Sequence, residues 1–282
     1  DGDVTGQFST TDVINQVYDH NLRLSYSKTI NDSFGFQGTI GATSRRNVYG
    51  QVRTQSTNQL AFGVLKHFNF VNQSANSFDS ELNIFGVFAD VTIDYNNYLF
   101  LNVQGRNDQA SNLESANNSL FYPGGSIAFV ATDAFPVIKS DILSYAKFRV
   151  GYGTSAGFGS TYNTRSTLGL SSRAFVDGSG VVVPSNFVDN KLGNSDLKPE
   201  KVSEIELGLD LRLLNNKLGV NISVFDRTTE NLITSRTLPG SSGYTNITVN
   251  AGKVSIKGLE LDFNYRPIKT QNFKWQIDAN LY

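Results

Sequence analysis

The stretch Glu204-Ile205-Glu206-Leu207-Gly208-Leu209-Asp210-Leu211-Arg212-Leu213 decides how this chain is read. Side chains on a strand point alternately to opposite faces. Here one face carries Ile205, Leu207, Leu209, Leu211 and Leu213, and the other carries Glu206, Gly208, Asp210 and Arg212. In a soluble sheet the apolar face packs on a core. In an outer-membrane barrel it faces lipid, and the polar face lines a wet lumen. Asn215-Asn216 follows as a hairpin signal, and Leu218, Val220, Ile222 and Val224 resume the alternation.

About ten stretches share this period. Leu22, Leu24 and Tyr26 alternate with Arg23, Ser25 and Ser27, and Phe34, Phe36, Ile40 and Ala42 come after a turn at Asn31-Asp32. Phe85 to Ile93, Leu99 to Val103, Ile127 and Phe129, Ala146 to Tyr152, Leu259 to Tyr265 and Phe273 to Ala279 repeat the pattern. Short turns are expected near Asn31, Asn96, Asn215 and Pro267, and long polar connections near 47–80, 107–122, 154–200 and 229–251. Short turns at one end and long loops at the other mark an outer-membrane barrel, with the long loops outside the cell. Parity then places the strand-like stretch Phe62–Phe70 inside a long external loop. Many short strands with turn signals also describe a soluble sandwich or propeller.

Composition narrows the classes. The 282 residues carry a formal net charge of -1, so no basic excess points to nucleic acid. Hydrophobic residues are only 39%, while aromatics reach 12% and glycine numbers 25, as suits a barrel with a wet interior and aromatic girdles. With no cysteine, disulfides, thiol catalysis and zinc–thiolate clusters are excluded. No stretch approaches the roughly 20 apolar residues of a membrane helix. Asp1 begins without a signal peptide and Tyr282 stops in mid-pattern, so the chain reads as an internal piece of something larger. Tyr98, Tyr152, Tyr265 and Trp275 are candidates for interfacial girdles.

Enzyme signals fail on inspection. Gly153-Thr154-Ser155-Ala156-Gly157 has the nucleophile-elbow form, which needs a strand-turn-helix setting and a later histidine. His20 and His67 are the only histidines and both precede it. Asp1-Gly2-Asp3 lacks the rest of a calcium loop, and no phosphate-binding glycine motif occurs, so no metal or cofactor is expected.

Several motifs in order carry a family resemblance. They are Leu99-Phe100-Leu101-Asn102-Val103-Gln104-Gly105-Arg106-Asn107-Asp108 with Ser111-Asn112-Leu113, then Phe121-Tyr122-Pro123-Gly124-Gly125-Ser126, then Tyr145-Ala146-Lys147-Phe148-Arg149-Val150-Gly151-Tyr152-Gly153. The most specific is Leu192-Gly193-Asn194-Ser195-Asp196-Leu197-Lys198-Pro199-Glu200, followed by Asn250-Ala251-Gly252 and Lys257-Gly258-Leu259-Glu260. From about residue 80 onward the chain resembles the SusC/RagA family of TonB-dependent outer-membrane transporters, departing at Pro199, where Trp is common.

The resemblance implies an all-β antiparallel transmembrane barrel of about 22 strands, of which this chain supplies about ten and not the plug. It also implies a bacterial outer-membrane location and import of oligosaccharides or peptides. A SusD-like surface lipoprotein would cap the barrel, and TonB would energise it through an N-terminal region that this sequence lacks. A non-transporting scaffold of the same ancestry, or a passive porin, is the alternative. Lipid surrounds the barrel in each case, and no enzyme or nucleic-acid role is implied. Arg106, Arg149, Glu204, Glu206, Asp210, Arg212, Glu260 and Asp262 are expected to face the lumen and the plug. Phe158, Tyr162, Phe175 and Tyr244, among small polar residues in the long connections, are candidate substrate contacts.

Overall fold

The computed structural model describes residues 6–282, with backbone alone over 171–176, so Asp1–Asp3 and the Phe175 side chain lie outside the described residues. In chain order the strands are β1 Gln7–Asn31, β2 Phe34–Gln59, β3 Phe70–Tyr95, β4 Leu99–Ala110, β5 Ser119–Val130, β6 Leu143–Gly157, β7 Leu168–Val176 and β8 Val182–Val188. There follow β9 Lys191–Leu192, β10 Glu200–Leu213, β11 Leu218–Glu230, β12 Ile233–Thr237, β13 Asn246–Asn250, β14 Lys253–Lys269 and β15 Lys274–Leu281. One 10-stranded sheet runs β1-β2-β3-β4-β5-β6-β10-β11-β14-β15, with every neighbouring pair antiparallel. β7 and β8 form a separate hairpin, and β12, β13 and β9 a three-stranded patch.

Register turns alternation into two continuous faces. Leu207 lies opposite Val150 on β6 and Val224 on β11, and Val224 lies opposite Leu259 on β14. This apolar face is uncovered: Phe148 is 52% exposed and Leu207 50%. A soluble sheet would bury such a surface against a second layer. A contiguous apolar face ten strands wide has lipid as its solvent.

Connections alternate strictly between two ends. At one end lie 32–33, 96–98, 131–142, 214–217 and 270–273; at the other lie 60–69, 111–118, 158–199 and 231–252. The tight turns place asparagines at positive φ, Asn96 (47°) with Asn97 (56°) and Asn215 (55°) with Asn216 (65°), the second pair following Leu214 (54°). Helix is confined to the one-turn α1, Ala131–Ala134, and short 3₁₀ turns among the described residues.

Two expected boundaries move. Residues 47–80 are mostly strand, since β2 and β3 stay paired out to Gln59 and Phe70, leaving only 60–69 as loop. Both faces there are polar, as in Gln51, Arg53, Thr54, Gln55 and Ser56, so no apolar period marks the extension. Phe62–Asn69 falls in that loop and Phe70 opens β3. The turn expected near Pro267 lies instead at 270–273, closed by Thr270 N–H to the Phe273 carbonyl at 2.8 Å. Pro267 has no N–H to donate, and the ladder absorbs it as a register shift between Tyr265 and Ile268.

Rings follow the short-turn end. Phe34–Tyr95, Tyr95–Tyr98, Tyr98–Phe129 and Phe129–Phe135 stand 4.8, 5.5, 6.0 and 6.2 Å apart, an unbroken string across the turns. Tyr98, one of the four expected girdle residues, sits in the middle of it.

Candidate functional site: the polar face of the sheet

On β10 the polar positions meet a cross-strand partner at each step. Gly208 pairs with Arg149 and Ser223, Asp210 with Lys147 and Asn221, and Arg212 with Tyr145 and Gly219. Through β11 the same rows reach Glu260 and Asp262 on β14. Arg149 spans the group, lying 3.1 Å from Glu206 and 3.2 Å from Asp210, and donating to Ser223 Oγ at 3.3 Å. Ser223 donates in turn to Glu206 at 3.1 Å, and Lys147 stands 3.8 Å from Asp210. These residues line an open cleft of about 820 Å³. Four carboxylates (Glu206, Asp210, Glu260, Asp262) face three cations (Lys147, Arg149, Arg212) in it. Glu204, one step toward the long connections, pairs with Arg227.

A second cluster sits on β2 to β5. Arg106 donates from Nε to Asp108 at 3.0 Å and to Tyr122 at 2.8 Å, and from Nη2 to Thr43 at 2.6 Å. Tyr122 donates to Asp108. Arg106 also lies over the Phe88 ring, 5.7 Å from its centroid, as Arg227 lies over Phe225 at 5.5 Å. Glycines make room for these side chains. A Cβ on Gly86 would fall 1.9 Å from Asp108 Oδ1, one on Gly208 2.7 Å from the Arg149 guanidinium, and one on Gly258 2.3 Å from the Phe225 ring. Missing side chains leave shallow hollows, and long neighbours lie flat across them.

The eight charged residues read from the sequence thus share one face, in two groups. Arg149, Glu206, Asp210, Arg212, Glu260 and Asp262 meet in the large cleft, with Glu204 beside them. Arg106 stands apart with Asp108, Tyr122 and Thr43. Sequence reasoning omitted Asp108 and Tyr122 from the site; cross-strand register, which single strands do not reveal, brings them in. Ser155 lies within β6 paired with Val202, so the nucleophile-elbow form has no turn to sit on.

At the long-connection end the loops have a core of their own. Ala110, Leu113, Phe158 and Leu197 are buried together, Leu197 completely. The 8% exposure of Phe158 removes it from any contact surface, correcting its assignment as a candidate substrate contact. Tyr162 remains half-exposed, edge-on to Phe78 and donating to the Asp79 carbonyl at 3.1 Å. Tyr244 is partly exposed, its N–H bonded to Ser242 Oγ at 3.2 Å.

Asparagine amides knit the loop backbones. Asn112 donates to the carbonyls of Phe158, Gly159 and Ser160 at 2.8–3.1 Å, and Asn194 to that of Thr248 at 2.9 Å. Asn250 donates to Lys198 and Asn231, both at 2.8 Å, and accepts from Lys198 N–H at 2.7 Å. Glu200 accepts from Ile233 N–H at 2.6 Å. Arg165 grips Glu114 through two bonds of 2.7 and 2.8 Å, which hold the Glu114 carboxyl below its ordinary range. The sequence elements around Asn112, Asn194 to Glu200 and Asn250 are therefore loop fasteners.

Comparison with known proteins matches this architecture. The family model described as "TonB dependent receptor-like, beta-barrel" covers residues 1–282. TonB-dependent receptor P3 of Formosa agariphila is 28% identical over 99% of this chain and 27% of its own length. TonB-dependent receptor SusC of Bacteroides thetaiotaomicron is 33% identical over 92 residues, 32% of this chain and 9% of its own. Among solved structures the RagAB peptide transporter superposes with a TM-score of 0.83 at 17% identity, over 96% of this chain and 30% of that one. The chain thus spans under a third of each relative. It belongs to the TonB-dependent receptor family, as part of the outer-membrane β-barrel, a non-enzymatic, SusC/RagA-like wall.

Proposed function

We propose that the receptor containing this chain is an active importer of oligosaccharides or peptides. In this reading the long connections face outward, and a SusD-like surface lipoprotein closes over them. A plug fills the lumen, and TonB drives its movement from the periplasm. The eight charged residues on the polar face would then contact the plug or the water around it.

The observation that carries the reading is the pairing of faces. One face is apolar and uncovered, and the other holds a solvated network of ion pairs, in the strand course of a protein described as a peptide transporter. A carboxylate- and guanidinium-rich wall accepts a polar plug domain that can be displaced, because partly solvated pairs are individually weak, about 0–1 kcal/mol.

The test is mass spectrometry of what copurifies with the full-length receptor from outer membranes in mild detergent. Stoichiometric recovery of a SusD-like lipoprotein is the expected result. Recovery of envelope assembly proteins alone would favour a scaffold, and recovery of no partner would favour a passive pore.

A further inference from the structure

We propose that the connection between β5 and β6, residues 131–142, is a membrane anchor, which seats exposed apolar side chains in the lipid interface at the short-turn end; it holds independently of the import reading. Its length is the first sign. It runs twelve residues, where the other connections at that end have two to four. A tight turn needs no such excess.

The extra length is pinned, with its polar groups used inward. Thr132 has no exposed surface, and its Oγ1 accepts from Ala146 N–H at 3.3 Å. Phe135 N–H closes α1 on the Ala131 carbonyl at 2.8 Å, and Lys139 N–H closes a 3₁₀ turn over Pro136–Ile138 on the Pro136 carbonyl at 3.1 Å. Pro136 has no N–H to satisfy. The neighbouring turn holds the far end, with Leu214 N–H on the Ile142 carbonyl at 2.8 Å and Asn215 N–H on that of Asp141 at 3.1 Å. What this frame displays is apolar. Phe135, Val137, Ile138 and Ile142 are all exposed, Val137 by 90% and Ile142 by 67%. Leu214, bonded to Ile142, is exposed as well and holds φ at 54°, where bulky side chains are rare. A slack loop could turn such side chains inward, but a hydrogen-bonded frame keeps them out.

Lipid is the occupant because this patch continues the lipid-facing surface. Phe129 lies on the apolar face, between Leu99 and Phe148, and the Phe135 ring stands 6.2 Å from it. Phe135 is thus the last ring of the string along the short-turn end, and Val137 and Ile138 follow it closely in the chain. The polar cleft of Lys147 and Arg149 opens on the opposite face. Interfacial segments bury their apolar side about 5–10 Å into the boundary between headgroups and acyl chains. Charge sets the mode of attachment. Asp133 and Lys139 pair at 2.8 Å, and Asp141 leaves the segment net negative. With no basic excess to bind anionic headgroups, apolar burial carries the attachment.

The test is photo-crosslinking in the full-length receptor, reconstituted in phosphatidylcholine vesicles. Val137→p-benzoylphenylalanine and Ile142→p-benzoylphenylalanine are the two probes, and the same replacement at Leu209 on the apolar face and Asn221 on the polar face gives the references. Heat-modifiable migration in SDS gels confirms that each variant barrel is folded, and the second probe serves if the first is not. Irradiation should give lipid adducts, read by mass spectrometry, within about threefold of the Leu209 yield and at least about tenfold above that of Asn221. Mixing phosphatidylglycerol into the vesicles should leave the yields unchanged. Irradiation of intact outer membranes should again give lipid adducts. Yields at the Asn221 level, lipid adducts that require phosphatidylglycerol, or adducts with a second receptor copy or another protein in place of lipid would overturn the proposal.

Discussion

Leu197 has no exposed surface, yet it stands in a polar connection with no apolar period around it. It closes the small core of Ala110, Leu113 and Phe158, so truncation leaves a cavity that the clamped loops cannot fill. Leu197→Ala should cost the loop cluster about 2–5 kcal/mol. Hydrogen exchange on the full receptor should show amides of 158–199 exchanging faster while β6 and β10 keep their protection; unchanged exchange there would refute this core. In the sequence the Leu197 motif could be matched but not explained, because its partners lie 39 to 87 positions away, at the end of β4, in the 111–118 turn and at the far end of its own connection. The polar face was half legible for a related reason. Alternation shows that Arg149 and Asp210 point away from the apolar side, but only register shows that they meet at 3.2 Å. Glycine abundance was equally plain, and its purpose was not: Gly86 and Gly208 matter through what the neighbouring strand lays over them.

Among the elements, strands with one apolar face were readable and those without were not. β10 and β14 announce themselves by period, and the turns at Asn96 and Asn215 by residue type. The outer halves of β1, β2 and β3 do not. These strands run 25, 26 and 26 residues, where a crossing needs about 9–11, and the remainder carries no sustained apolar period on either face. The connections are held by polar fasteners whose strength depends on charge state. Glu114 is the plainest case, its carboxyl held below the ordinary range by the Arg165 hydrogen bonds. A carboxylate whose folded value is depressed adds stability above its unfolded value and loses it as pH falls through the folded one. The fastening between the 111–118 turn and the 158–199 connection should therefore persist at neutral pH and weaken on acidification below about pH 4.5, the free glutamate value. Limited proteolysis by an acid-active protease across pH 6 to 3 should show a step in cleavage near Arg165, absent in Glu114→Gln, which should be cleaved readily throughout. Cleavage that follows the same pH course in both proteins would rule the fastener out.

For the molecule as a whole, the two faces of one sheet must answer differently to the same substitution. Leu209 lies on the apolar face between Phe148 and Ile222, and Asn221 lies on the polar face opposite Asp210 and Asp262. Leu209→Arg in the full receptor should destabilise the membrane-folded state by roughly 2–4 kcal/mol, while Asn221→Arg should be tolerated. Denaturant titration in lipid vesicles separates the two, and equal effects would mean that the faces have been assigned wrongly. Another consequence follows from how the β7–β8 hairpin is hung. Its strands pair only with each other, and its foot is drawn together by Asp189 N–H bonding the Thr167 carbonyl at 3.2 Å. Just outside that foot, Gly193 N–H bonds Ser166 Oγ at 3.0 Å and Arg165 is locked to Glu114. The chain between 168 and 188 is thus a cassette plugged into a fixed socket. Its length and chemistry can be exchanged while the socket keeps its shape, so descendants of one barrel can diversify what they display at the long-connection end without redesigning the wall.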